Sequence, residues 1–293
     1  MSRGLLSLFT CLALPFAVLP AQQAIDGPES PPASVSGPNG HTLIVIRGGE
    51  FTMGSPAGER GRSEDETQHQ VRIPRIYAIA TTEVTNEQFA RFLTAQPVHA
   101  ARWQAATAAR FGDPPRFAAF SRTPDSPQVG VSWYDAARYC NWLSERMGLP
   151  RDQWVYPDPV DDERGIDLPS NYLRRSGYRL PTEAEWEFAA RAATNTSRHF
   201  GDDDAMLPKY VWYDANTKRE RAYPVASLLP KQWGLFDMLG NVWEWTMDRR
   251  QPYPADGRVV EDVEDSTLRV SNDVARTRRG GPTDRQCGGH RRG

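Results

Sequence analysis

Asn241, Val242 and Glu244 lie in Gly240-Asn241-Val242-Trp243-Glu244-Trp245, shortly after Gly234-Leu235-Phe236-Asp237-Met238. An amide oxygen, a carbonyl beside a tight turn and a nearby carboxylate together form the oxygen set that a hard cation takes. The same residues also suit a Gly-Asn turn feeding a buried aromatic strand, because each indole needs apolar surface and a partner for its N–H. Both readings stay open on these residues alone.

Thiols are the other source of chemistry. The cysteines are Cys11, Cys140 and Cys287, and none has CxxC spacing. Cys140 falls on the apolar stripe of a helix, where a free cysteine serves as a small hydrophobe. Cys287 follows Arg285 and precedes Arg291 and Arg292, cations of the kind that lower a thiol pKa. It is the one candidate for a catalytic residue. His41, His69, His99, His199 and His290 show no i, i+4 pairing, and no nucleophile elbow occurs. Gly201-Asp202-Asp203-Asp204 lacks the ligand spacing of an EF-hand and reads as a solvated loop.

Three capped helices must position these groups. Thr85 with Gln88, Ser132 with Asp135 and Thr182 with Glu185 each fit a capping box. The first helix carries Phe89, Phe92 and Leu93 on one face. The second carries Trp133, Ala137, Cys140 and Ser144, and ends at Gly148 and Pro150. Pro181 sets the entry to the third, whose inward stripe is Trp186, Ala189, Ala190 and Ala193. The clearer strands are 43–46 and 71–73, and 151–177 reads as loop. An α+β domain with few helices, short strands and much irregular backbone follows.

Five segments in order carry a family resemblance: Gly48-Gly49-Glu50-Phe51-Thr52-Met53-Gly54-Ser55, Thr82-Glu83-Val84-Thr85-Asn86-Glu87-Gln88-Phe89, Pro127-Gln128-Val129-Gly130-Val131-Ser132-Trp133-Tyr134-Asp135-Ala136-Ala137, Tyr178-Arg179-Leu180-Pro181-Thr182-Glu183-Ala184-Glu185-Trp186-Glu187 and the Asn241 segment. The chain resembles the formylglycine-generating enzyme, or sulfatase-modifying factor, family over 43–281. The resemblance implies a fold related to C-type lectins, and calcium at Asn241, the Val242 carbonyl and Glu244. It also implies an oxygen-dependent oxidase that converts a sulfatase cysteine to formylglycine, with copper(I) on a cysteine pair that follows Gly-Gly-Ser. Here Arg279-Gly280-Gly281 runs into Pro282-Thr283-Asp284, and Cys287 stands alone at another spacing. Neither copper ligand is matched.

The expected organisation is a signal peptide at 1–21, a Pro/Ser/Gly-rich linker at 22–41, the family domain at 42–281 and an aberrant or truncated tail at 282–293. The leader implies a secreted or periplasmic protein with no membrane span after cleavage. A net charge of −2 without a basic stripe argues against nucleic acid. Three functions remain: a non-catalytic module that binds a peptide, protein or glycan; a formylglycine-generating oxidase whose C-terminus is truncated or frameshifted; and a secreted oxidoreductase using Cys287.

Overall fold

A computed structural model describes residues 32–281 except 60, 61, 63, 114, 195–197, 202, 219, 266 and 267, together with two short N-terminal strands. Those strands are β1 (Leu6–Ser7) and β2 (Cys11–Leu12). The first half then runs β3 (Ser34–Ser36), β4 (Thr42–Arg47), β5 (Glu50–Met53), β6 (His69–Arg72), β7 (Ile76–Ala80), α1 (Asn86–Ala95), α2 (Pro97–Phe111) and α3 (Trp133–Arg146). The second half runs β8 (Ile166–Asp167), β9 (Tyr178–Arg179), α4 (Glu183–Arg191), α5 (Leu207–Tyr210), α6 (Asp214–Thr217), β10 (Gly240–Arg249), β11 (Val259–Glu261), β12 (Arg269–Val270) and β13 (Arg276–Gly281).

The strands form four small sheets, ordered β3-β4-β7-β2-β9, β1-β10-β13, β11-β6-β5 and β12-β8. In the largest, β4 and β7 pair antiparallel from Leu43↔Ala80 to Arg47↔Ile76. Their apolar residues leave no polar face, so this sheet is buried on both sides: Leu43, Tyr77, Ala78 and Ile79 are fully enclosed.

All three capping boxes are present in reciprocal form, at Thr85/Gln88, Ser132/Asp135 and Thr182/Glu185. The α1 stripe meets α3 through rings: Phe89 stacks on Tyr139 at 5.8 Å and Phe92 meets Tyr139 edge-on at 5.5 Å. Burying each such ring stabilises the fold by about 1.5–3 kcal/mol. Gly148 closes α3 with φ +68°, as its sequence position predicts.

Two expectations are corrected, and one helix was not expected. The linker assigned to 22–41 is ordered at its end, because Ser34–Ser36 pairs with Thr42–Ile44 and His41 is buried against the Tyr139 hydroxyl at 2.8 Å. Helix α2 has no counterpart in the pattern reading, since it presents few buried side chains and no regular apolar stripe. The 151–177 stretch carries β8, which pairs with β12. Of the run assigned to a leader, the described residues are β1 and β2, and both pair into sheets: β1 lies parallel to β10, and β2 is antiparallel to β7 and β9.

Candidate functional site

Strand β10 begins on two residues with left-handed backbone, Gly240 at φ +89° and Asn241 at φ +52°. Glycine is required first, because a Cβ there would sit 2.2 Å from the Trp212 carbonyl oxygen. Asparagine tolerates the second position better than most residues. That twist turns the Asn241 side chain inward. Its Nδ2 donates to Glu83 Oε2 at 2.8 Å and to the Tyr223 carbonyl at 3.2 Å, while its Oδ1 accepts from Tyr223 N–H at 3.0 Å. Val242 N–H donates to Glu83 Oε1 at 3.3 Å. Glu83, placed between β7 and the α1 cap, is therefore clamped by the start of β10.

Glu244 points to the same interior. Its Oε2 accepts from Trp186 Nε1–H at 3.0 Å, which ties α4 to β10. Its Oε1 is buried with no hydrogen-bond partner among the described residues. Gly280 leaves room beside that oxygen: a Cβ there would lie 3.4 Å from Glu244 Oε1 and 3.3 Å from the Val242 carbonyl oxygen.

The electrostatics are those of crowded, enclosed carboxyls. Burial, then Asp237 and Glu244, pushes Glu83 well above the carboxylate range, against the hydrogen bonds from Asn241 and Val242. Burial likewise raises Glu244, with Asp237 adding to the rise and the Trp186 bond and Lys231 opposing it. Burial lifts Asp237 to about 6, although Ala226 N–H donates to it at 2.8 Å. Lys231 is buried nearby with Nζ on the Ala190 carbonyl at 2.7 Å.

A hard cation would find part of its oxygen set here. Glu244 Oε1 and the Val242 carbonyl fit, since both face the space that Gly280 leaves. Asn241 Oδ1 already accepts from Tyr223 N–H and fits less well. No trio of His, Cys, Asp or Glu converges on a point among the described residues, so a calcium ion would depend largely on backbone carbonyls.

Residues 29–291 match the family model described as the sulfatase-modifying factor enzyme 1-like domain. The chain belongs to the sulfatase-modifying factor family. The formylglycine-generating enzyme of Streptomyces coelicolor is 32% identical over 266 residues, covering 83% of this chain and 78% of the relative. That of Mycobacterium tuberculosis is 31% identical, with 72% and 75% covered. A protein of Mus musculus described as inactive Cα-formylglycine-generating enzyme 2 is 28% identical, with 74% and 72% covered. Two solved structures share the fold at 24% identity. PvdO of Pseudomonas aeruginosa has a TM-score of 0.58 with 87% of each chain covered. Variable protein 1 of Treponema denticola has 0.62, with 89% of this chain and 93% of that one. The α+β, C-type-lectin-like architecture expected from the motifs is thus the family's own.

Within this sulfatase-modifying-factor frame the thiol of Cys140 lies away from the Asn241 turn. Cys140 is wholly buried in α3, and burial pushes its thiol far above the ordinary range, which leaves it a core residue. Cys287 lies outside the described residues. Copper(I) prefers soft sulfur ligands, and the described residues hold no thiolate pair for it, so no step through copper is derived. His41, His69, His99 and His199 do not combine into a ligand cluster among the described residues. Asp203 caps the turn at Ala205 N–H, and Asp204 pairs with Arg198, in keeping with a structural acidic loop.

Sequence reasoning brought together Asn241, Val242 and Glu244 but missed Glu83 and Asp237. Glu83 is 158 residues from Asn241, its hydrogen-bond partner. No local pattern marks that distance; the available signal was its position two residues before the Thr85 cap, inside the second family segment.

Proposed function

We propose that this member of the sulfatase-modifying factor family is a secreted or periplasmic module that binds a peptide, protein or glycan and does not oxidise cysteine. The observation that carries the non-catalytic reading is the placement of the described thiol: Cys140 is sealed in the core. The sequence beyond Gly281 supplies only Cys287. The 28% identical mouse relative described as inactive lends support.

A binding face lies beside the Asn241 turn. The half-buried rings of Trp212 and Tyr223 stack at 3.9 Å and 9°. The Arg221 guanidinium lies 4.7 Å from the Tyr223 ring centre. Such a platform suits a flat sugar face or a planar side chain. Purified protein screened on glycan and peptide arrays should bind without consuming oxygen, and Trp212→Ala should abolish that binding. Oxygen uptake with aldehyde formation on a sulfatase peptide would overturn the reading.

The oxidase remains a second reading, favoured by 32% identity to the Streptomyces coelicolor enzyme. It requires a cysteine pair after Gly281. Resequencing the 3′ end of the gene and reading all frames decides it: Gly-Gly-Ser followed by two close cysteines restores the oxidase, and confirmation of the present tail removes it. Use of Cys287 alone is the weaker redox alternative, and it ends if Cys287→Ser leaves any activity unchanged.

Calcium is proposed at the Val242 carbonyl and Glu244, with Asn241 shaping the turn. Calcium should raise the thermal midpoint of the wild type and leave Glu244→Gln unshifted. No shift in either protein would remove the assignment.

A further inference from the structure

The largest sheet has an unusual centre. Strands β7 and β9 do not pair with each other; Cys11 and Leu12 lie between them, with Cys11 opposite both Ile79 and Arg179 and Leu12 opposite both Ala78 and Tyr178. All four facing residues are fully enclosed. Neighbouring strands sit about 4.8 Å apart, so without β2 the edges of β7 and β9 would stand about 10 Å apart, too far to bond directly. Two rows of interior N–H and C=O groups would then lose their partners, at the cost of unmade buried hydrogen bonds. The same N-terminal run also pairs along the site strand, with Leu6 opposite Trp243 and Ser7 opposite Glu244.

The slot therefore demands a strand, and the one it holds comes from a run with Arg3 as its sole charge over residues 1–21. The charges that flank the slot are already satisfied: Arg179 forms two bonds of 2.7 Å to Glu185. We propose that the space between β7 and β9 is a strand-acceptor groove. Strand β2 closes it in the intact chain, and release of β2 opens it to one extended, uncharged, apolar segment of another polypeptide, antiparallel to both edges. Recognition would follow β-augmentation, with affinity from main-chain hydrogen bonds and selectivity from the apolar surroundings. Strand β1 lies along Trp243 and Glu244, so its release together with β2 frees that edge of the site strand. Only the biological trigger rests on the leader reading; the groove does not.

The test uses the full chain with a protease site placed within residues 22–31, folded intact and then cut. The probe is a labelled synthetic peptide of residues 4–15. Uptake of one peptide per cut chain, with none by the uncut chain, is expected. In hydrogen exchange, the amides of Ala78 and Arg179, which face the slot, should exchange at least about tenfold faster when the run is displaced without replacement, and slow again when peptide is added. A peptide with proline at the positions of Cys11 and Leu12 should not enter. Two outcomes overturn the proposal: a folded cut chain that takes no peptide, or a cut chain that unfolds even with peptide present. The N-terminal mass of the natively exported protein tests leader processing independently.

Discussion

Trp186 and Glu244 join a helix to a strand 58 residues away through one indole N–H to carboxylate bond of 3.0 Å, with the buried Arg279 guanidinium 5.1 Å from the indole ring centre. Trp186→Phe keeps most of the ring and removes the donor, leaving both oxygens of an enclosed carboxyl without a hydrogen-bond partner among the described residues. Urea unfolding should show a loss of about 1–3 kcal/mol. An unchanged midpoint would mean that Glu244 finds another donor at no cost.

Glu185 is the hub of a buried ion cluster. It receives two bonds from Arg179 and one from Arg75 Nε at 2.7 Å, and closes the Thr182 capping box. Burial pushes its carboxyl up, yet Arg179 and Arg75 outweigh that and hold it at about 2. Glu185→Ala should cost about 3–5 kcal/mol, because it leaves Arg179 enclosed and uncompensated. Combining it with Arg179→Met should recover part of that loss in the same unfolding assay.

Asp248 carries a pH signature. Burial first, then Asp262 and Glu183, lifts its carboxyl from 3.8 to about 7. A group that holds its proton more tightly when folded contributes most below pH 3.8, and that contribution is lost as pH rises to about 7. His41 and His199 act oppositely, since burial lowers them to about 4 and about 3, and they lose stability as pH falls below 6.5. The difference between wild type and Asp248→Asn isolates the carboxyl. Wild type should lose ground to the variant between pH 4 and 7, by at most about 1.4 kcal/mol per pH unit. A flat difference would refute the assignment.

Gly281 has φ +85°, and a Cβ on it would fall 2.3 Å from Trp243 Cε2. Gly281→Ala should destabilise by more than about 1 kcal/mol. Gly148→Ala shares a positive φ of +68° but meets nothing within 4 Å. The gap between the two variants in thermal unfolding measures the indole clash apart from backbone strain.

Local rules carried far in this chain where the physics was local. The three boxes at Thr85, Ser132 and Thr182 name their helices because cap and partner lie three residues apart. The Gly240-Asn241 turn likewise announces β10. Strands β8, β9 and β12 span two residues each. No periodicity fits into two residues, and their existence depends on partners more than a hundred positions away. Within the site, Glu244 was legible through its aromatic neighbours. Glu83 was not, because its role is defined by the fold that brings Asn241 to it.

Strand β10 is also where the indoles gather. Trp133 Nε1–H donates to the Thr246 carbonyl, Trp186 to Glu244, and Trp245 to the Val131 carbonyl. Each of these three fluorophores has its emission set by a polar contact made by β10 itself. Three of the nine tryptophans thus report on this one strand, and movement of β10 by a cation or a docked peptide would shift their share of the protein's ultraviolet emission.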